Sequence, residues 1–214
     1  MSLPAPYYSK DGQTIYCGDC RDILPHLDPV DLVLTDPPYG VGMEYGEQRD
    51  DLCSLRKLIG EWLPVARGVA PRVLLTPGIA RIWEYPPADW VLCWHKPFSV
   101  GHSPFGANNW EPVLFYGEKG LVGTDRNTDY FDATFVRREP GHPCPKPDRW
   151  AEQLLKIASH PGQTILDPFM GSGTMLMAAR DLGRKCIGIE IEEKYCAIAV
   201  RRLSQQLLPF GGGE

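Results

Sequence analysis

No apolar run in this chain approaches the length needed to cross a bilayer. Its opening residues, Met1 to Tyr8, lack the charged and apolar regions of an export signal, so a cytoplasmic location is the expectation. The seven cysteines (17, 20, 53, 93, 144, 186 and 196) lack the close, even spacing of a disulfide framework and read as reduced thiols, several of them in the core. Cys17 and Cys20 have CxxC spacing, but no second CxxC or Cys/His pair completes four ligands. No metal is expected, and the pair reads as the end of a strand at a ligand cleft. Positive charge is also scarce: 22 Lys and Arg stand against 27 Asp and Glu, a net charge of −5, with a pI of about 5.6. Such a chain has no long-range pull on nucleic acid, and any contact must come from a local basic groove. Arg126, Arg137, Arg138, Lys146 and Arg149 could supply one, but Asp125, Asp129, Asp132, Glu139 and Asp148 match them in number.

What is present is an ordinary globular composition, 214 residues with 43% hydrophobic and 23% charged, enough for one full domain. Residues 30–35 form a β-branched run that must stop at Pro37 and Pro38, because proline cannot continue a central strand. The glycine-rich stretch 40–46 reads as a mobile lid. Leu52, Leu55, Leu58, Ile59 and Leu63 recur with helical spacing over 52–66. Residues 73–76 read as a buried strand closed by Pro77-Gly78, and 90–94 with 112–116 as a further strand pair. Residues 117–141 are polar and glycine-punctuated, a binding loop or a small irregular insert. A helix is expected after Asp148, running through Ala158. The last third then reads as strand (164–166), glycine turn, helix (174–182), strand (186–189) and helix (193–207). That unit predicts an α/β fold with a doubly wound, mostly parallel sheet.

Two motifs carry chemistry. In Asp167-Pro168-Phe169-Met170-Gly171-Ser172-Gly173-Thr174, two glycines let the backbone make a tight strand-to-helix turn and approach a ligand. A dinucleotide fingerprint would place a third small residue at 176, where this chain has Leu176, so close helix–strand packing is expected to be lost there. Glu190, 19 residues after Gly171, is placed to accept hydrogen bonds from ribose hydroxyls. A nucleoside without a pyrophosphate fits better than NAD. Asp167, at the strand end, would face the ammonium group of such a cofactor.

The second motif is Asp36-Pro37-Pro38-Tyr39. The amino group of a nucleobase is a poor nucleophile because its lone pair is delocalised into the ring. Two acceptors on its two N–H bonds favour the pyramidal form that can attack a methyl sulfonium. Asp36 supplies a carboxylate and Pro37 a carbonyl. Pro37 and Pro38 remove backbone donors that would compete, and Tyr39 offers a face on which a flipped-out base can stack.

Together these segments resemble the permuted β class of S-adenosylmethionine-dependent DNA amino-methyltransferases, which modify adenine N6 or cytosine N4. Asp36-Pro37-Pro38-Tyr39 is similar to their catalytic motif. Asp167, Phe169, Gly171, Ser172, Gly173 and Thr174 are similar to their cofactor loop, and Gly188-Ile189-Glu190 to their ribose-binding strand. Gly18-Asp19 resembles the site that holds the cofactor's adenine. His142-Pro143 with Lys146-Pro147 resembles the segment beside its methionine end. Trp94 with Lys96-Pro97, and Trp110-Glu111-Pro112, resemble the strands behind the target-base pocket. The resemblance implies a circularly permuted Rossmann-like methyltransferase fold in one domain, with a catalytic half at 1–116, a short target-recognition insert at 117–141 and a cofactor half at 142–210. It implies S-adenosylmethionine as cofactor and DNA with a flipped target nucleotide as partner. Asp at the head of the tetrapeptide favours adenine N6, since many cytosine members begin with Ser. Members usually carry a longer recognition region, so a homodimer or a very short recognition site is expected.

Rival readings within the same chemistry are cytosine N4, RNA adenine and a protein amide nitrogen. RNA would need stacking surfaces, for which Trp62, Trp83, Trp90 and Trp110 are candidates. A non-catalytic binding partner could dispense with Asp36 or Tyr39, yet both are present. A nicotinamide oxidoreductase conflicts with Leu176.

Overall fold

The structure is a computed structural model that describes residues 2–40, 44–45, 48–49, 51–96, 102–117, 128–133 and 148–204. Its strands are β1 (Tyr8–Lys10), β2 (Gln13–Cys17), β3 (Leu32–Thr35), β4 (Glu44–Tyr45), β5 (Gln48–Arg49), β6 (Arg72–Leu75), β7 (Trp90–His95), β8 (His102–Ser103), β9 (Gly106–Ala107), β10 (Trp110–Gly117), β11 (Tyr130–Asp132), β12 (Thr164–Asp167) and β13 (Lys185–Glu190). Its helices are α1 (Cys20–Ile23), α2 (Leu52–Val69), α3 (Asp148–Ala158), α4 (Thr174–Asp181) and α5 (Glu193–Ser204). Nine strands form one sheet in the order β1-β2-β13-β12-β3-β6-β10-β7-β11, and β4-β5 and β8-β9 are two-stranded hairpins. The strands β2, β13, β12, β3 and β6 run parallel. Antiparallel β10 separates β6 from β7.

Helices cover both faces. Trp150, Leu154 and Leu155 of α3, Leu176 of α4 and Cys196 and Leu203 of α5 share one core with Leu32, Leu34 and Ile165. Ile23 of α1 and Leu55, Ile59, Trp62 and Leu63 of α2 share the other with Val33, Val73 and Leu166. The alternation in β3 explains this: Leu32 and Leu34 point to one face and Val33 to the other, and all three are fully buried. Helix α2 starts where Asp51 accepts a bond of 2.8 Å from the Ser54 amide, a side-chain cap for an orphan donor.

The order of strands reverses between β12 and β3. From β12 the chain returns through α4 to β13 on one side, and from β3 through α2 to β6 on the other. A crevice opens at the carboxyl ends of such a pair. The doubly wound, mostly parallel sheet expected from the sequence is present.

Two details depart from the sequence reading, and the strand expected over 112–116 carries a proline into the sheet. Tyr130–Asp132, within the segment read as loop or irregular insert, adds to the sheet edge as β11, parallel to β7. Pro112 lies inside interior strand β10. It is tolerated because β6 pairs with β10 only from Leu114 onward, and the opposing Cys93 turns its amide away to Asp129. Helix–strand packing is also close at Leu176. The small residue stands on the strand instead: a Cβ on Gly188 would lie 2.9 Å from Leu176 Cδ1 and 2.5 Å from Met170 Sδ. Gly188→Ala should therefore overpack this contact and destabilise the fold by about 1–3 kcal/mol, read as a lower urea midpoint.

Candidate active site

The carboxyl ends of four neighbouring parallel strands carry the polar groups of the crevice. In sheet order they are Glu190 (β13), Asp167 (β12), Asp36 just after β3, and Thr76 just after β6. The link across the reversal is direct: Thr35 Oγ1 donates to Asp167 Oδ1 at 2.6 Å, with both side chains buried. The Phe169 amide donates to the same oxygen at 3.1 Å. Asp36 and Asp167 therefore sit at the ends of paired strands, although 131 residues separate them in the chain.

Burial pushes the Asp167 carboxyl up to about 7, and the negative charges of Asp36 and Glu190 add to the rise against the Thr35 and Phe169 bonds. Glu190 is raised as well, chiefly by burial. Its Oε2 accepts the Gly171 amide at 3.0 Å and its Oε1 the Glu192 amide at 2.8 Å. Each carboxylate oxygen can accept a second bond, which leaves capacity for hydroxyl donors. Gly171 and Gly173 have φ of 51° and 84°, the left-handed region that glycine enters without penalty. Arg202 on α5 fixes the loop between them, donating to the Ser172 carbonyl at 2.9 Å and to Ser172 Oγ at 3.2 Å. Thr174 opens α4 beside them.

Gly18-Asp19 follows β2, and the Gly18 amide donates to the Glu190 carbonyl at 2.9 Å, which brings Asp19 to the same rim. The Asp19 carboxylate caps α1 and pairs with Arg21, which also reaches Glu61 at 2.8 Å. Cys17 ends β2 opposite Glu190, at this rim as the CxxC reading expects. The thiol of Cys20 lies buried and pushed up to about 12 by desolvation. Phe169 leans edge-on against Trp62 with centroids 5.2 Å apart. That contact is internal: Trp62 is fully buried and offers no nucleic-acid surface, whereas Trp83, Trp90 and Trp110 are exposed.

On the chemical side of the crevice, Asp36 Oδ1 accepts hydrogen bonds from the hydroxyls of both Tyr39 and Thr76. Pro37 is buried, while Asp36, Pro38 and Tyr39 are half-buried. On the β7–β10 strand pair the Lys96 ammonium pairs with Glu111 and lies 5.2 Å from the Trp94 ring. Lys146, His142 and Pro143 lie outside the described residues, as do the central part of the expected lid, Arg126, Arg137 and Arg138.

Sequence reasoning missed Thr35, Thr76, Arg81 and Arg202. A readable signal existed for two of them: each threonine ends an apolar strand immediately before a proline motif, Thr35-Asp36-Pro37 and Thr76-Pro77. The assembled crevice is acidic, with three carboxylates and a glycine loop. It suits a nucleoside that carries positive charge and repels a pyrophosphate.

Comparison with known proteins agrees. Residues 119–201 match the family model for N6/N4 DNA methylases. Over 252 aligned positions the chain is 44% identical to the DNA adenine methyltransferase YhdJ of Escherichia coli strain K12, covering 92% of this chain and 84% of that protein. The chain belongs to the N6/N4 DNA methylase family. Among solved structures, the complex of M1.HpyAVI with SAM aligns with a TM-score of 0.69 at 24% identity, over 90% of this chain and 100% of that one. The cytosine-N4-specific PvuII DNA methyltransferase aligns with a TM-score of 0.74 at 16% identity, over 95% and 90%. Both likenesses speak to the fold, which this family member shares.

The buried carboxyl at the centre of the crevice has a measurable cost. Its folded pKa of about 7 exceeds the ordinary 3.8, so the folded state binds the extra proton between those values. Its contribution to stability is full below about pH 4 and is lost as pH rises through 7. Relative to Asp167→Asn, the wild-type protein should lose up to about 4 kcal/mol over that range, read from urea unfolding at each pH.

Proposed function

We propose that this chain transfers a methyl group from S-adenosylmethionine to an exocyclic amino group of DNA, and that the target is adenine N6. The observation that carries the reading is the hydrogen bond from Thr35 to Asp167, which ties the tetrapeptide strand to the cofactor-loop strand. Bound in the crevice, S-adenosylmethionine supplies an electrophilic methyl group. Asp167 holds its ammonium, Glu190 accepts from its ribose hydroxyls, and the Gly171-Ser172-Gly173-Thr174 turn lets the backbone close on it. Asp19 at the rim and Phe169 are assigned to its adenine end, and Lys146 to its methionine end.

A flipped base stacks on Tyr39. Its amino group donates to the Asp36 carboxylate and the Pro37 carbonyl, which draws the lone pair out of the ring and toward the methyl group. The N–C bond would form as the methyl–sulfur bond breaks, its electron pair leaving with a neutral thioether, and the proton that the nitrogen then sheds passes toward Asp36. Two features support adenine: the tetrapeptide begins with Asp, and the 44% identical relative is a DNA adenine methyltransferase. The reading requires a compartment that contains DNA, and the cytoplasm is the one proposed. Among the described residues no helix is long and apolar enough to cross a membrane. A specific DNA interface buries on the order of 1,000–2,500 Å² of protein surface, and a homodimer would supply it from a chain with a short recognition region.

Separating the two halves of the crevice tests the proposal. With labelled S-adenosylmethionine and duplex DNA, the label should appear in N6-methyladenine after digestion to nucleosides. Asp36→Ala should lower transfer about 100- to 1,000-fold with cofactor affinity nearly unchanged, because one preorganised acceptor is lost. Glu190→Ala should instead weaken cofactor binding and leave the rate at saturation nearly intact, the signature of uniform binding. Label in N4-methylcytosine would correct the base, and an Asp36→Ala protein that no longer binds cofactor would refute the assignment.

A further inference from the structure

The segment that follows β6, from Thr76 to Arg81, contacts the end of β3 and the tetrapeptide loop, and nothing in the motif itself foretells it. Thr76 is fully buried and its amide donates to the Thr35 carbonyl at 3.2 Å, which continues the β3–β6 pairing up to the tetrapeptide. Its hydroxyl donates to Asp36 Oδ1. Gly78, at φ 70°, backs the Tyr39 ring, and a Cβ there would meet it in ordinary contact at 3.5 Å. Arg81 donates from Nε to the Tyr39 carbonyl and from Nη2 to the Gly40 carbonyl, each at 3.0 Å.

We propose that Thr76 and Arg81 are positioning residues for the reaction, setting which acceptors meet the target amino group. The inference rests on the amino-methyl transfer proposed above. A carboxylate held at one oxygen by a buried donor cannot turn about its Cβ–Cγ bond. The Thr76 hydroxyl fixes the plane of Asp36 while Tyr39, the other donor to that oxygen, moves to meet a base. Arg81 acts on the backbone. The loop carries four consecutive carbonyls, from Pro37 to Gly40, and the planar guanidinium fork takes the last two. The amino group is then directed to Asp36 and the Pro37 carbonyl, because Arg81 holds the Tyr39 and Gly40 carbonyls in a fixed orientation. Neither residue touches the reacting atoms, so both act through the tetrapeptide.

The test uses the full-length protein in single-turnover transfer of labelled methyl to duplex DNA, at saturating cofactor and DNA, with cofactor affinity measured by calorimetry. Thr76→Val keeps the shape and removes the donor, and should slow transfer about tenfold or more, since small misplacements of reacting groups carry penalties of that size. Its cofactor affinity should stay within about twofold of wild type, because no contact to the cofactor half is altered. Thr76→Ser restores the hydroxyl and should recover most of the rate. Arg81→Lys keeps the charge without the fork and should also slow transfer at unchanged cofactor affinity. A Thr76→Val protein as fast as wild type, a Thr76→Ser protein as slow as Thr76→Val, or losses in rate and cofactor affinity that run in parallel would each overturn the proposal. An active wild type with indifferent variants rejects these two roles alone. A wild-type protein that labels no DNA rejects the proposed function and these roles together.

Discussion

A carboxyl group buried at the reversal of strand order is the constraint on which the crevice turns. Asp167 is 5% exposed, and both of its hydrogen bonds, from Thr35 and Phe169, go to one oxygen. Burial of this kind is tolerated only when the group is neutral or meets a cation. Standing alone with Asp36 and Glu190 nearby, Asp167 holds its proton up to about pH 7. A cationic cofactor would draw the proton off and stabilise the carboxylate, so the cost of burying this carboxyl becomes selectivity for positive charge.

The same residue pair explains how two distant stretches of chain become one site. Thr35 ends β3 with its side chain toward β12, and its successor Asp36 faces the other half of the crevice. One strand end thus serves both halves. Thr76 repeats the device one strand further on, linking β6 to Asp36. Two buried threonines, each satisfied by a carboxylate, form a polar row with Asp167 across the ends of β12, β3 and β6, whose other buried residues are Leu, Ile and Val. Moving either partner would leave a hydroxyl or a carboxylate buried without its match, and this holds the geometry in place.

Much of this was legible in the sequence because its signals are local. The run ending at Thr35, the glycine turn at 171–173 and the acidic end of β13 each declare themselves within a few residues, and their order gave the doubly wound sheet. What stayed hidden depends on contacts between segments far apart. Gly188 makes room for Leu176 from a neighbouring strand, so the missing small residue on α4 could not be judged from the helix alone. Pro112 is harmless only because β6 has already ended beside it. Tyr130–Asp132 has too few residues to show a period, and becomes a strand because β7 offers it an edge. Arg81 and Arg202 gave no signal, since their carbonyl partners lie 41 or 42 and 30 residues away in the chain.

The central claim is that the crevice is built for a cationic nucleoside held by Asp167. Calorimetry of S-adenosylmethionine binding across pH 6 to 8, in buffers of different ionisation enthalpy, tests it most directly. Binding near pH 6.5 should release protons, because Asp167 is mostly protonated beforehand, with a pKa of about 7, and ionised afterwards. Affinity should rise with pH by up to about tenfold per unit below 7 and level off above it. Asp167→Asn should abolish both effects. Binding without proton release, or equally strong binding to the Asn variant at every pH, would contradict the account.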